Sequence, residues 1–318
     1  MYSIKKLHVN NVVVVSIVFL ISLVVAPYYI NGDQSAYIKV YNALESLSIQ
    51  DGYRYYSKYL TSTEVTYFIL VWISSRIIEK SFFVSISNAV LAYLLLKLLT
   101  KWRVYFGISV LLVLSNYYIY VLFFAAEKLK FAFIFFILSM LVVERMKLFS
   151  MFAAVSMLSH FQMIIMYASI IIDHIYKAVK TILYSGRLKI SLLFVLIGAI
   201  FIPLLFGRHL ANKISYHFEL HSFYELSKIL ILLTLSIYYS KNSRLRPLIT
   251  FFPLVVAALL LSGDRVNMIG YFVFMYYSLQ INKGFNMGVI LTAIYFSLKN
   301  YYFLEKIMRC GQGFCERI

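Results

Sequence analysis

Between Arg103 and Glu144 every residue is apolar or uncharged except Glu127, Lys128 and Lys130, which stand together in "FFAAEKLKFAFIFF". A run of that length has room for two bilayer crossings at about 20 residues each. Charges inside it are costly, adding about 2.5–3.5 kcal/mol each at the bilayer centre on insertion scales. Apolar runs separated by short polar clusters recur along all 318 residues. Hydrophobic residues make up 62% and charged residues 14% of the chain, against about 45–50% and about 25% in soluble domains. Mean hydropathy is +0.82. The expected fold is therefore all-α: a polytopic integral membrane helical bundle, one transmembrane domain over residues 1–318 with about ten or eleven transmembrane helices. Candidate spans are roughly 11–30, 64–79, 82–99, 104–124, 126–143, 148–172, 189–206, 227–240, 247–262, 266–282 and 285–303. The stretch 148–172 is either one tilted helix or two helices broken near His160. "MYSIKKLHVNNVVVVSIVFLISLVVAPYYI" lacks a small-x-small cleavage site and reads as a retained first span.

The net charge of +17 comes from Lys and Arg gathered between apolar runs, as topology signals are, and implies no nucleic acid. Lys5 and Lys6 place the N-terminus in the cytoplasm and the loop 31–63 outside. In that loop Ala36, Val40, Ala43, Leu44 and Leu47 fall at helical spacing, which predicts an amphipathic helix lying on the membrane, with Asp33 as its cap. The basic loop 177–189 is then cytoplasmic, 207–226 external, 241–246 cytoplasmic and 263–265 an external turn. Residues 76–81 and 97–103 are both basic although one helix separates them, so one of the two breaks the positive-inside rule or one segment lies in the interface. The 28 Tyr and 27 Phe suit membrane interfaces and also sugar or lipid grooves. Cys310 and Cys315 can pair but imply no disulfide framework or metal site, and read as incidental.

The charged triad itself has two placements. Glu127, Lys128 and Lys130 mark a hairpin end if 104–124 and 126–143 are antiparallel spans. If the turn lies at "SNYY" (115–118) instead, they sit about three turns, roughly 15 Å, into the next helix. Walker, dinucleotide, HExxH and Asp-x-Asp motifs are absent, so no metal or cofactor is expected. The polar residues left near span ends are Asp33, Tyr37, Glu64, Lys128, Lys130, His160, Arg208, His209, Asp264 and Arg265. The two basic sites, at "EKLK" and "GDR", suit a diphosphate, whose leaving group needs fixed positive charge. His160, Asp33 or Glu64 can take a proton from a sugar hydroxyl.

Read in order, the external "NGDQSAYIKVY", Glu64, "AAEKLKFAFIFFILSMLVVERMKLFSMFAAVSMLSHFQMIIMY" and "GDRVNMIGYFVFMYY" resemble the EpsG-like and Wzy-type polymerases of O-antigen and capsule repeat units. In that family a basic residue with Ala four positions on opens a span, a short basic turn follows, and the next span ends in a His motif. Here these map to Lys128, Ala132, "ERMK" and His160. The family commonly has Arg-Gln where this chain has Lys128-Leu129, so Lys128 or Lys130 can carry the role. The resemblance implies a GT-C-like bundle in the bacterial inner (cytoplasmic) membrane and a metal-independent inverting glycosyl transfer on the periplasmic side. The growing glycan passes from undecaprenyl diphosphate to the distal sugar of a new lipid-linked repeat unit. It implies His160, Asp33 and Arg265 as catalytic residues, and Lys128, Lys130, Glu64, Tyr37, Arg208, His209 and Asp264 as substrate-binding residues. The implied partners are the undecaprenyl-diphosphate-linked oligosaccharide, the bilayer, a chain-length regulator and a flippase. Two other functions compete: a lipid-linked oligosaccharide flippase or transporter, and a membrane sugar acyltransferase.

Overall fold

A computed structural model describes residues 2–185, 223–240, 243–260 and 263–315. Regular structure among these residues is helical throughout, without a strand. Helices satisfy every backbone group inside one apolar segment, which is the solution that apolar surroundings favour. The chain divides into two compact units, residues 1–163 with 290–318, and residues 164–289.

The first unit contains α1 (Tyr2–Val25), α2 (Asp33–Leu44), α3 (Ile49–Leu60), α4 (Val65–Ser74), α5 (Lys80–Lys101), α6 (Phe106–Ser115), α7 (Tyr117–Tyr120), α8 (Glu127–Leu141) and α9 (Met146–Ser159). The second contains α10 (Met163–Ser185), α11 (Phe223–Tyr238), α12 (Leu245–Leu260) and α13 (Gly263–Ser278). α14 (Met287–Cys310) begins in the second unit and continues in the first.

Two segments, Val9–Tyr28 and Lys80–Lys101, are long and apolar enough to cross a membrane; a third is available if Phe106–Ser115 and Tyr117–Ala125, bent by 52°, form one span. Five further apolar helices of 10–17 residues fall short of the roughly 20 needed. The described residues thus supply two or three spans by length, where hydropathy alone predicts about ten or eleven. Specific breaks account for part of the difference, and the expected span 189–206 lies outside the described residues. Asn116 leaves helical geometry (φ −78°, ψ 124°), and its side-chain oxygen accepts the N–H groups of Tyr118 and Ile119. α4 stops at Ser74, after which Arg76 folds back 3.8 Å over the Trp72 ring and donates to the carbonyls of Trp72 and Leu47. The stretch 148–172 takes the broken form, with His160 extended between α9 and α10 (φ −161°, ψ 122°).

The loop 31–63, expected outside the membrane, is two helices. The expected amphipathic helix is α2, and its buried Val40 and Leu44 pack within the protein. Asp33 is not its cap: Gly32 occupies that position with φ +62°, and Asp33 is the first helical residue, where its charge favours the helix dipole. α3 was not among the expected helices; Ser48 caps it by accepting the Asp51 N–H. Gly52 lets α3 approach its neighbours, since a Cβ there would stand 3.0 Å from Leu44 and 3.2 Å from Trp72. "GDR" likewise opens α13 as a helix rather than forming a turn.

Contacts at both ends fix the direction of the central helices. Phe83 of α5 stacks on Phe131 of α8 at 5.4 Å near their starts, and the Lys101 ammonium donates to the carbonyls of Met140 and Leu141 at their ends. α5 and α8 therefore run parallel, with Lys101 capping the C-terminus of α8. α9 returns antiparallel to α8, where the Ser156 hydroxyl donates to the Ala132 carbonyl at 2.7 Å. That register brings His160 back to the level of Lys128. In the second unit Arg246, expected in an exposed loop, forks onto Asp173 and donates to Tyr276. Gly52→Val should lower stability by about 1–3 kcal/mol through overpacking, read as an earlier thermal unfolding transition of the full-length protein in detergent.

Candidate functional site

Residues 121–125 form a π turn that closes with the Ala126 N–H on the Val121 carbonyl at 2.8 Å. Ala126 then leaves helical geometry (φ −107°, ψ 60°), and α8 opens at Glu127. Such a break strands carbonyls that would otherwise accept bonds from the next turn. Side chains take them up. The Gln34 amide donates to Phe124 at 2.7 Å, and the Lys130 ammonium donates to Phe123 at 3.2 Å. Neither placement of the triad expected from sequence is complete by itself. The charges do mark a helix start, yet Glu127 is 1% and Lys130 0% exposed.

Burial of charge at this level demands partners. Glu127 pairs with Lys80 at 3.1 Å and accepts the Tyr67 hydroxyl at 2.7 Å. Lys80 donates to the Gln34 side-chain oxygen at 2.8 Å, so Gln34 bridges the pair to the stranded carbonyl. Lys130 donates to Asn88 at 2.8 Å, and Asn88 donates in turn to Ser22 of α1. Lys128 differs: its ammonium lies 3.4 Å from Glu64 and keeps 13% side-chain exposure. It faces the rings of Tyr56 at 5.7 Å and Tyr37 at 5.9 Å, a cation–π geometry. Glu64 precedes α4 and also accepts the Ser62 hydroxyl, which meets the Tyr56 hydroxyl at 2.8 Å. Burial holds the Tyr56 phenol far above its ordinary pKa, so it remains a neutral hydrogen-bonding group.

Beside this cluster lies a cavity of ≈ 570 Å³. Gln34, Lys80 and Glu127 line it together with Tyr29 and Tyr41, and Asn42, Glu45 and Glu79 supply further polar groups. Lys80 and Glu127 are already committed to each other. The remaining charged lining residues, Glu45, Glu79 and Arg76, are of mixed sign and offer both acceptors and donors to hydroxyl groups.

The first unit brings Glu64, Lys128 and Tyr37 together, with Lys130 on the sealed side of α8 and His160 at the same level of the α8–α9 pair. His160 is 6% exposed, and its Nδ1 accepts the Gln162 N–H at 3.2 Å. The neutral ring then carries its proton on Nε2 and acts there as a donor. Asp33 is exposed on the first turn of α2, one turn before Tyr37. Arg265 is exposed in α13 and belongs to the second unit. The backbone of Asp264 lies in the same helix. Arg208 and His209 lie outside the described residues.

Sequence reasoning missed Lys80, Gln34, Asn88, Tyr67 and Tyr56. Lys80 carried a signal: it opens a long apolar helix whose only other charges come at its end. No sequence pattern marked Gln34 or Asn88, whose importance depends on which carbonyl or ammonium reaches them. No protein-family model matches this sequence, and neither a curated protein nor a solved structure matches it.

Glu127→Ala should cost about 3–5 kcal/mol by leaving Lys80 buried without its counter-charge. The Lys80→Met/Glu127→Leu pair should cost clearly less than the sum of the single changes. Additive losses in thermal unfolding of the full-length protein would show that the two charges are not coupled.

Proposed function

We propose that the chain is a polytopic inner-membrane glycosyltransferase that polymerises lipid-linked repeat units of an O-antigen or capsule-type polysaccharide, like the Wzy-type and EpsG-like enzymes it resembles. The observation that carries this reading is Lys128. It is a cation with residual exposure, set between two Tyr rings and a carboxylate at the end of the bundle where α8 opens. The basic residues Lys97, Lys101, Arg103, Arg145 and Lys147 gather at the other end of α5, α8 and α9. The positive-inside rule assigns that end to the cytoplasm and the Lys128 end to the periplasm. The second basic cluster, 76–81, is a weak topology signal because Arg76 and Lys80 are committed to Trp72, Leu47, Gln34 and Glu127.

In this mechanism Lys128, rather than the sealed Lys130, meets the diphosphate of undecaprenyl-linked glycan. Its fixed charge stabilises the negative charge that develops as the sugar–phosphate bond breaks. The hydroxyl of the incoming repeat unit attacks the anomeric carbon from the opposite face. Its proton passes to Asp33, and the diphosphate leaves with the bonding electron pair. His160, with its proton on Nε2, donates a hydrogen bond to the substrate rather than accepting the proton. The cavity beside Glu127 accommodates sugar hydroxyls of the acceptor, and a chain-length regulator and a flippase are its expected working partners.

The test is a glycan ladder from cells carrying single variants at normal protein level. Lys128→Ala should reduce long chains at least about tenfold, the effect expected of losing one transition-state charge contact, and Lys128→Arg should restore part of the loss. Lys130→Met should act through protein level and leave ladder length per molecule unchanged. A gene deletion should display single repeat units. A deletion that displays none points to a flippase, and one that keeps full-length chains points to an acyltransferase; either sinks the polymerase reading.

A further inference from the structure

Cys310 and Cys315, incidental by sequence, form a disulfide. The loop they close is seated on the segment that leads into α2. The Gly311 carbonyl accepts the N–H groups of Ile30 at 3.0 Å and Asn31 at 2.8 Å, and the Asn31 side chain donates to the Cys310 carbonyl at 2.8 Å. Phe303 packs edge-on against the Tyr29 ring at 6.4 Å. The fit depends on small residues. Gly311 has φ +69°, and a Cβ there would meet Asn31 Nδ2 at 2.8 Å; a Cβ on Gly32 would meet Gln312 Oε1 at 2.8 Å.

The segment gripped in this way is a wall of the cavity, since Tyr29, Ile30 and Gln34 all line it. Gln34 also carries the bridge from Phe124 to Lys80. The loop therefore sits at the end of the first unit where α8 opens, away from the basic ends of α5 and α8. Disulfides persist in oxidising compartments. A disulfide at the end that the positive-inside rule assigns to the periplasm is a second, independent sign of that orientation.

We propose that the Cys310–Cys315 loop is a redox-responsive clasp on the periplasmic wall of the cavity, holding Tyr29–Gln34 in place when oxidised and releasing them when reduced. Opening takes two electrons and two protons from a dithiol, which becomes a disulfide while Cys310 and Cys315 become thiols. The regulatory meaning rests on the reading of this cavity as part of the polymerase site. The clasp itself rests only on the contacts above.

The experiment uses full-length protein in lipid nanodiscs with a reporter, Ile38→Cys, on the cavity face of α2. Maleimide labelling at position 38, read by peptide mass spectrometry so that it is counted apart from Cys310 and Cys315, is timed in the oxidised protein, after dithiothreitol treatment and desalting, and in a Cys310→Ser/Cys315→Ser background. The rate should rise on the order of tenfold in both opened forms, as expected for local loosening. Asn31→Ala, which keeps the disulfide, should give a smaller rise. Equal rates in oxidised and reduced protein overturn the clasp, and the dithiothreitol arm decides this even if the double serine variant fails to fold. In intact cells a membrane-impermeant maleimide should label Cys310 and Cys315 only after an impermeant reductant; labelling that requires permeabilised cells overturns the periplasmic placement. A deletion strain that still makes long glycans would sink the polymerase reading and leave the labelling result standing.

Discussion

The first unit is organised by the ion pair between Lys80 and Glu127, whose side chains are 12% and 2% exposed and lie 3.1 Å apart. Removing two such charges from water costs several kcal/mol per ion, and their attraction offsets this only when the remaining donors and acceptors are satisfied. Here Tyr67 satisfies one carboxylate oxygen and Gln34 one ammonium proton. Those four residues come from α4, α2, α5 and α8, so the electrostatic requirement is also a geometric one. α2 cannot drift without stranding Lys80 and the Phe124 carbonyl together.

From that arrangement follows a polarity of the whole unit. α5 and α8 start side by side with their charges neutralised internally, and end side by side with Lys101 on the last carbonyls of α8. One end is a network of paired charges, Tyr rings and amides beside the cavity. The other is a rim of basic residues that favours water or anionic headgroups. The same chain thus uses Lys in two ways: Lys130 as an internal strut for a stranded carbonyl, and Lys128 as a cation that keeps some access.

Helical character and most helix positions were legible because apolar runs and helix-breaking residues are local. The amphipathic pattern at Ala36–Leu47 located α2, while one helix or a break near His160 stayed open until the backbone decided for the break. Other features depended on position in space. Asn116 interrupts what hydropathy reads as one span, 104–124, because a polar side chain changes backbone direction without changing the apolarity of the stretch. α3 has an apolar and aromatic face of Ile49, Tyr53, Tyr56 and Leu60 at helical spacing that hydropathy passes over because its other face is polar, and its packing depends on Gly52 meeting Leu44 and Trp72. Arg246 looked like a loop charge until Asp173 and Tyr276 were found beside it.

By itself the sequence determined that the chain is helical and apolar, that its charges gather at discrete points, and that "EKLK" is a place where charge has to be compensated. It could not say how, because Glu127, Lys128 and Lys130 are within four residues of one another and yet end in three environments. Only the tertiary structure separated them. The first turn of α8 directs Glu127 to Lys80, Lys128 to Glu64 and Lys130 to Asn88, and those partners are 42 to 64 residues away along the chain. Burial and partner geometry, rather than residue type, decide which charge is structural and which can meet a ligand.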